Sequence, residues 1–131
     1  MSLWVRIGDR FPTGRHAPRA RRSPRLDRRV HEIGGTTQLR TYTVRDGLLD
    51  EWVERWRNDI VPLRLKLGFE IGGAWTDRER NQFLWLISYR GPKTFAERNA
   101  LYWASPERQA MGLDPGAYLL HTEDRTVERG Y

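Results

Sequence analysis

The chain has 131 residues, enough for one domain with a substantial core and too few for two. It has no cysteine, which excludes disulfides and thiolate metal ligands. The longest unbroken apolar run, Phe83–Ile87, falls far short of the ~20 residues that span a bilayer. With no secretory core near the N-terminus either, the expected setting is cytoplasmic, with no membrane partner.

The formal net charge of +6 divides unevenly along the chain. Residues 1–35 hold nine arginines against Asp9, Asp27 and Glu32, and so carry the whole +6. Residues 36–131 balance fourteen basic against fourteen acidic side chains. The first segment also contains Pro12, Pro18 and Pro24, and between Thr13 and Arg29 its only large apolar residue is Leu26. Such a segment buries too little surface to offset the entropy of ordering it. Residues 1–35 are thus expected to be an Arg/Pro-rich arm, disordered or not native to the protein. Clustered arginines attract polyanions, but the arm lacks the interleaved aromatics of a single-strand binder, so nucleic acid is disfavoured as a partner.

From Thr36 the pattern becomes regular. Gln38–Arg45 alternates as a strand, with Leu39, Thr41 and Thr43 on one face and Gln38, Arg40, Tyr42 and Val44 on the other. Asp46-Gly47 turns the chain, and Asp46 is placed to cap the next helix. In that helix Leu49, Trp52, Val53, Trp56, Ile60, Leu63 and Leu67 recur at gaps of three or four, forming one apolar stripe. Pro62 should kink it, and Gly68 should end it.

Phe69–Thr76 alternates again, with Gly72-Gly73 marking a bulge or close approach. Trp75 and Trp85 share the parity of Phe69, Ile71, Phe83 and Ile87, which assigns both to the core. Asp77–Asn81 reads as a hairpin loop, and Gln82–Arg90 as a strand apolar on both faces. One face can rest on helices; the other calls for a second sheet, supplied by a second copy of the chain. Thr94-Phe95-Ala96-Glu97 is a capping box opening another helix. Ser105-Pro106 restarts a short one, and Asp114-Pro115-Gly116 turns into a last strand, Tyr118–Thr126. The order is β-α-β-β-α-β, an α+β arrangement.

That order, with these residues, resembles the NIPSNAP family of the dimeric α/β-barrel, ferredoxin-like group. The resemblance rests on Leu39-Arg40-Thr41-Tyr42-Thr43 with Gly47, then Pro62-Leu63 and Lys66-Leu67-Gly68. Trp75-Thr76, Ser88-Tyr89-Arg90, Phe95-Ala96-Glu97-Arg98 and Ala104-Ser105-Pro106-Glu107 follow in register. Where such sequences often place a tryptophan after that Pro-Glu, this chain has Arg108. The resemblance spans about Thr36 to Glu123. It implies a four-stranded antiparallel sheet, with two subunits closing a barrel as a homodimer, and no particular reaction. The wider group includes cofactor-free monooxygenases and small-molecule-binding proteins, which is fold-level analogy.

The residues themselves offer little chemistry. With one histidine in the domain, His121, no metal site is expected, and no phosphate loop, nucleophile elbow or cofactor motif appears. Charged groups are costly to bury unless paired, so Arg40, Glu70 and His121 are expected to turn away from the helices, into the cleft between two sheets. The last strand of such a sheet runs beside the first, bringing His121 towards Arg40 and Tyr42. There Arg40 would hold an anionic ligand, Tyr42 would donate a hydrogen bond, and His121, the candidate for catalysis, would exchange a proton. The competing reading is a buried polar network fixing strand register. The sequence leaves two functions open: a homodimer binding or transforming a small molecule, or a non-catalytic protein–protein interaction module.

The arm is expected to be dispensable for folding. A chain beginning at Thr36 should match the full chain in chemical denaturation, and a loss above about 2 kcal/mol would show that the arm packs into the domain.

Overall fold

The computed structural model describes residues 35–130, so the readings made for the arm lie outside the described residues. The first strand, β1 (Thr36–Val44), leads into a helical stretch with three hydrogen-bonding registers. These are α1 (Leu49–Arg55), a π-helical turn (Trp56–Ile60) and α2 (Val61–Lys66). The wide turn is the form that the expected disturbance at Pro62 takes. Proline has no N–H to return to the preceding turn, and the Val61 N–H, immediately before it, already reaches back five residues to the Trp56 carbonyl. The stripe survives the change: Leu49, Trp52, Trp56, Ile60 and Leu63 are all buried.

The helix ends at Gly68, whose φ of +95° is open to glycine. The N–H groups of Gly68 and Phe69 close back on the Leu65 and Arg64 carbonyls at 3.0 Å each, a Schellman ending. Asp46 does not cap the helix as expected. A turn closed by the Leu48 N–H on the Arg45 carbonyl puts Leu48 at the N-cap, leaving Asp46 two residues too early.

After α2 come β2 (Glu70–Asp77), β3 (Gln82–Tyr89), α3 (Phe95–Ala104), α4 (Pro106–Ala110), a 3-10 turn (Pro115–Ala117) and β4 (Leu119–Val127). The strands form one sheet in the order β2-β3-β1-β4, each neighbouring pair antiparallel. This is the ferredoxin-like α+β fold. Thr94 and Glu97 make the capping box at the start of α3. One core joins the helices to a single face of the sheet, where Tyr42, Val44, Phe83, Trp85 and Ile87 meet Trp52, Trp56 and Tyr102. The other face carries Leu39, Thr41, Leu84, Leu86 and Ser88, all half-buried.

A bulge decides what that second face presents. The β2–β3 register jumps between Ile71 and Gly73, passing over Gly72. One extra residue reverses the side-chain alternation beyond it. Trp75, assigned to the core by its parity with Ile71, therefore lies opposite Leu84 and is 54% exposed. Trp85 has no such break before it and stays in the core.

Gly73 has a φ of +145°, and a Cβ there would stand 2.9 Å from the Trp75 ring. Gly73→Ala should destabilise the domain by about 1–3 kcal/mol in urea denaturation. Gly72→Ala, whose backbone is not in that region, should cost less.

Candidate functional site

On β1 the face bearing Gln38, Arg40 and Tyr42 lies under the helices, and Arg40 is only 3% exposed. The expectation that Arg40 would turn away from the helices is thus reversed. The burial is tolerated because the guanidinium is surrounded. Its Nε donates to Gln38 Oε1 at 3.1 Å, and its Nη1 to the Tyr42 hydroxyl at 3.4 Å. Asp124, opposite it on β4, forms an ion pair at 3.7 Å. The rings of Trp85 and Phe95 lie 5.7 and 5.8 Å from its Cζ.

His121 is not brought to this group. It pairs with Thr43, so it sits on the opposite face of the sheet from Arg40 and Tyr42, and it is exposed. Glu70 pairs with Ser88 on that same outer face and is held by Arg90 at 2.6 Å. Of the three sequence candidates, the structure brings Arg40 and Tyr42 together and separates His121 from both.

Beside Arg40 and Tyr42, between sheet and helices, lies a cavity of about 40 Å³. That is room for very few water molecules or a compact ion, well below the roughly 300–1,000 Å³ of drug-sized sites. Two further arginines reach it from the helical side. Arg64 of α2 is 2% exposed; it donates to Asn99 Oδ1 at 2.7 Å and lies 3.6 Å over the Tyr102 ring. Its burial was legible in retrospect, since it follows Ile60 by four residues on the same stripe.

Arg108 of α4 is 4% exposed and lies 4.4 Å over the Trp103 ring. Local sequence puts it there. Ser105 caps α4, its Oγ accepting the Arg108 N–H at 3.1 Å and donating to the Tyr102 carbonyl at 2.8 Å, with Pro106 in the first turn. On the solvent side Lys66 and Glu107 form an ion pair at 2.9 Å, tying the end of α2 to α4. Among the described residues no acceptor meets the Arg108 Nε. The same holds for the indole N–H groups of Trp52, Trp85 and Trp103, three residues that also line the cavity. The site is thus rich in donors. Among the described residues no group of three His, Cys, Asp or Glu side chains is placed to hold a metal, and no helix is long and apolar enough to cross a membrane.

The sequence profile of the NIPSNAP family matches residues 37–127, well over half of the chain. The chain belongs to the NIPSNAP family. An uncharacterised NIPSNAP domain protein from Burkholderia xenovorans superposes with a TM-score of 0.63 at 20% identity, over 72% of this chain and 94% of that one. A NIPSNAP family protein from Agrobacterium tumefaciens gives 0.63 at 17% identity, over 71% and 90%. A protein from Bacteroides thetaiotaomicron, by its name an antibiotic biosynthesis monooxygenase, gives 0.57 at 17% identity, over 76% and 93%. At these identities the likeness is one of fold. No curated protein matches the sequence.

Within this NIPSNAP domain the Tyr42 hydroxyl gives a pH signature. Burial pushes its pKa above the ordinary 10, outweighing the lowering by the adjacent Arg40 guanidinium. The folded state therefore keeps the proton more tightly than the unfolded chain does. That contribution is complete below pH ~10 and is lost as pH rises from there towards the folded pKa. Stability should decline above about pH 10, and Tyr42→Phe should decline less steeply, as read by urea denaturation across that range.

Proposed function

We propose that this NIPSNAP protein is a homodimer that binds a small molecule under the helices of each protomer, against Arg40 and Tyr42. The observation that carries the ligand reading is the helix-side cavity, lined by Arg108 and by tryptophans whose N–H groups no described acceptor meets. An unmet buried donor costs about 1–3 kcal/mol. Several around one cavity mark a place where something that accepts hydrogen bonds is expected to sit. The cleft between two sheets is the weaker place for a ligand, because Arg40 and Tyr42 lie on the other side of the sheet. The likeness to a protein named a monooxygenase is one of fold and brings no reaction with it. We assign no catalytic residue.

The homodimer rests on the outer face. Leu39, Leu84 and Leu86 are only half-buried, and Trp75 stands beside them more exposed still. Covering such side chains fully contributes about 1.5–3 kcal/mol each, and a second sheet laid face to face does this. In such a dimer His121 faces the partner. This face is also what favours the second reading, a protein–protein interaction module in which a different chain covers the same leucines.

Sedimentation at micromolar concentration should show a dimer, and Leu86→Asp should give monomer or aggregate. A monodisperse monomer of the unmutated chain removes the homodimer. In a thermal-shift screen of small polar compounds, a ligand at a hundred times its Kd should add about 2.7 kcal/mol. If no compound shifts the midpoint, the interaction module becomes the reading.

A further inference from the structure

We infer that the helix-side cavity is an anion site for a small carboxylate, anchored by Arg108; this rests on the ligand-binding reading above and gives it a chemical class. The unmet groups on the residues around the cavity are donors with one exception, Asp124 Oδ1, an acceptor without a hydrogen bond that lies 3.7 Å from the Arg40 Nε in an ion pair. The Arg108 Nε and the indole N–H groups of Trp52, Trp85 and Trp103 are all donors. A ligand that matches them must accept hydrogen bonds, which disfavours amines and metal cations.

Arg108 separates an anion from a neutral acceptor. Its guanidinium is almost wholly withdrawn from solvent and lies over the Trp103 and Tyr102 rings at 4.4 and 5.9 Å. Those rings stabilise the cation without neutralising it. Arg40 is served by Asp124 and Arg64 by Asn99, whereas no carboxylate of the described residues forms an ion pair with Arg108. Water would satisfy a bare N–H but leave the charge uncompensated. Asp124 also lines the cavity, but its ion pair with Arg40 offsets its repulsion of an incoming anion.

Size and shape narrow the class further. About 40 Å³ admits a group of a few heavy atoms. A planar carboxylate matches the planar fork of a guanidinium. A carboxylate of one or two carbons fits as a whole; a larger acid would enter by its carboxyl end.

The experiment uses the full 131-residue chain with formate and acetate against formamide and acetamide as neutral isosteres. Indole resonances in two-dimensional ¹H–¹⁵N NMR report on the cavity tryptophans. The carboxylates should shift them saturably, with a Kd at least roughly tenfold below that of the amides. Arg108→Gln should lose about tenfold or more in acetate affinity, Arg108→Lys should lose less, and Arg57→Gln, on the exposed side of the π-helical turn, should change nothing. Equal binding of acetate and acetamide overturns the anion assignment while leaving the ligand-binding cavity in place. Saturation by none of the four overturns both. If Arg108→Gln does not fold, the comparison of acetate with acetamide on the unmutated chain decides alone.

Discussion

The structure depends on keeping three guanidinium groups in the layer where sheet meets helices. Moving a charge from water into a protein interior costs several kcal/mol before any compensation. Each of the three is held by a different device. Arg40 uses an amide, a phenol and a carboxylate across one strand pair. Arg64 uses an asparagine from α3 and the face of Tyr102. Arg108 lies against the same α3 aromatics without a described counter-charge. Tyr102 touches two of the three cations, so the position of α3 relative to α2 and α4 is set by cation–π geometry as well as by apolar packing. The capping box at Thr94 and the Ser105 cap fix the two ends of that helix, and so fix where its rings stand.

Most of the fold was legible in the sequence because its signals are local. Helical spacing located the stripe from Leu49 to Leu63, and Ser105-Pro106 and Gly68 marked element ends by the chemistry of their own backbone. The failures came where a local rule met a neighbour. Alternation assigned Trp75 to the core, and one bulge residue, Gly72, reversed it. The Gly72-Gly73 pair announced the bulge, but nothing in the strand alone says which of two glycines is passed over. The site was less legible for a related reason. The rule that charges turn from helices assumes that no partner waits there, and Asp124 meets Arg40 only through the antiparallel pairing of β1 with β4. Arg108 shows the same limit. Its sequence position says that α4 has an arginine in its last turn; its burial follows from how α4 folds back on α3.

The two faces of the sheet thus carry different chemistry, and the alternation of β1 is what keeps them apart. Gln38, Arg40 and Tyr42 point to the helices, while Leu39 and Thr41 point outward. Each residue is bound to its side by its neighbours, since a slip of one position would exchange a buried guanidinium for a leucine. The ladder is held against such a slip at both ends. Thr37 and Ser88 share a hydroxyl hydrogen bond at 2.7 Å, and Gln82 donates to Thr43 at 3.2 Å. Both pairs lie on the outer face. A protein sheet laid over that face must therefore accommodate polar pairs at its margins and leucines at its centre. This is the pattern of an apolar interface core with a polar rim. The strand held in register there, β1, carries Arg40 and Tyr42 on its other side. One strand thus serves both faces, its alternate residues forming the outer surface and the wall of the helix-side cavity.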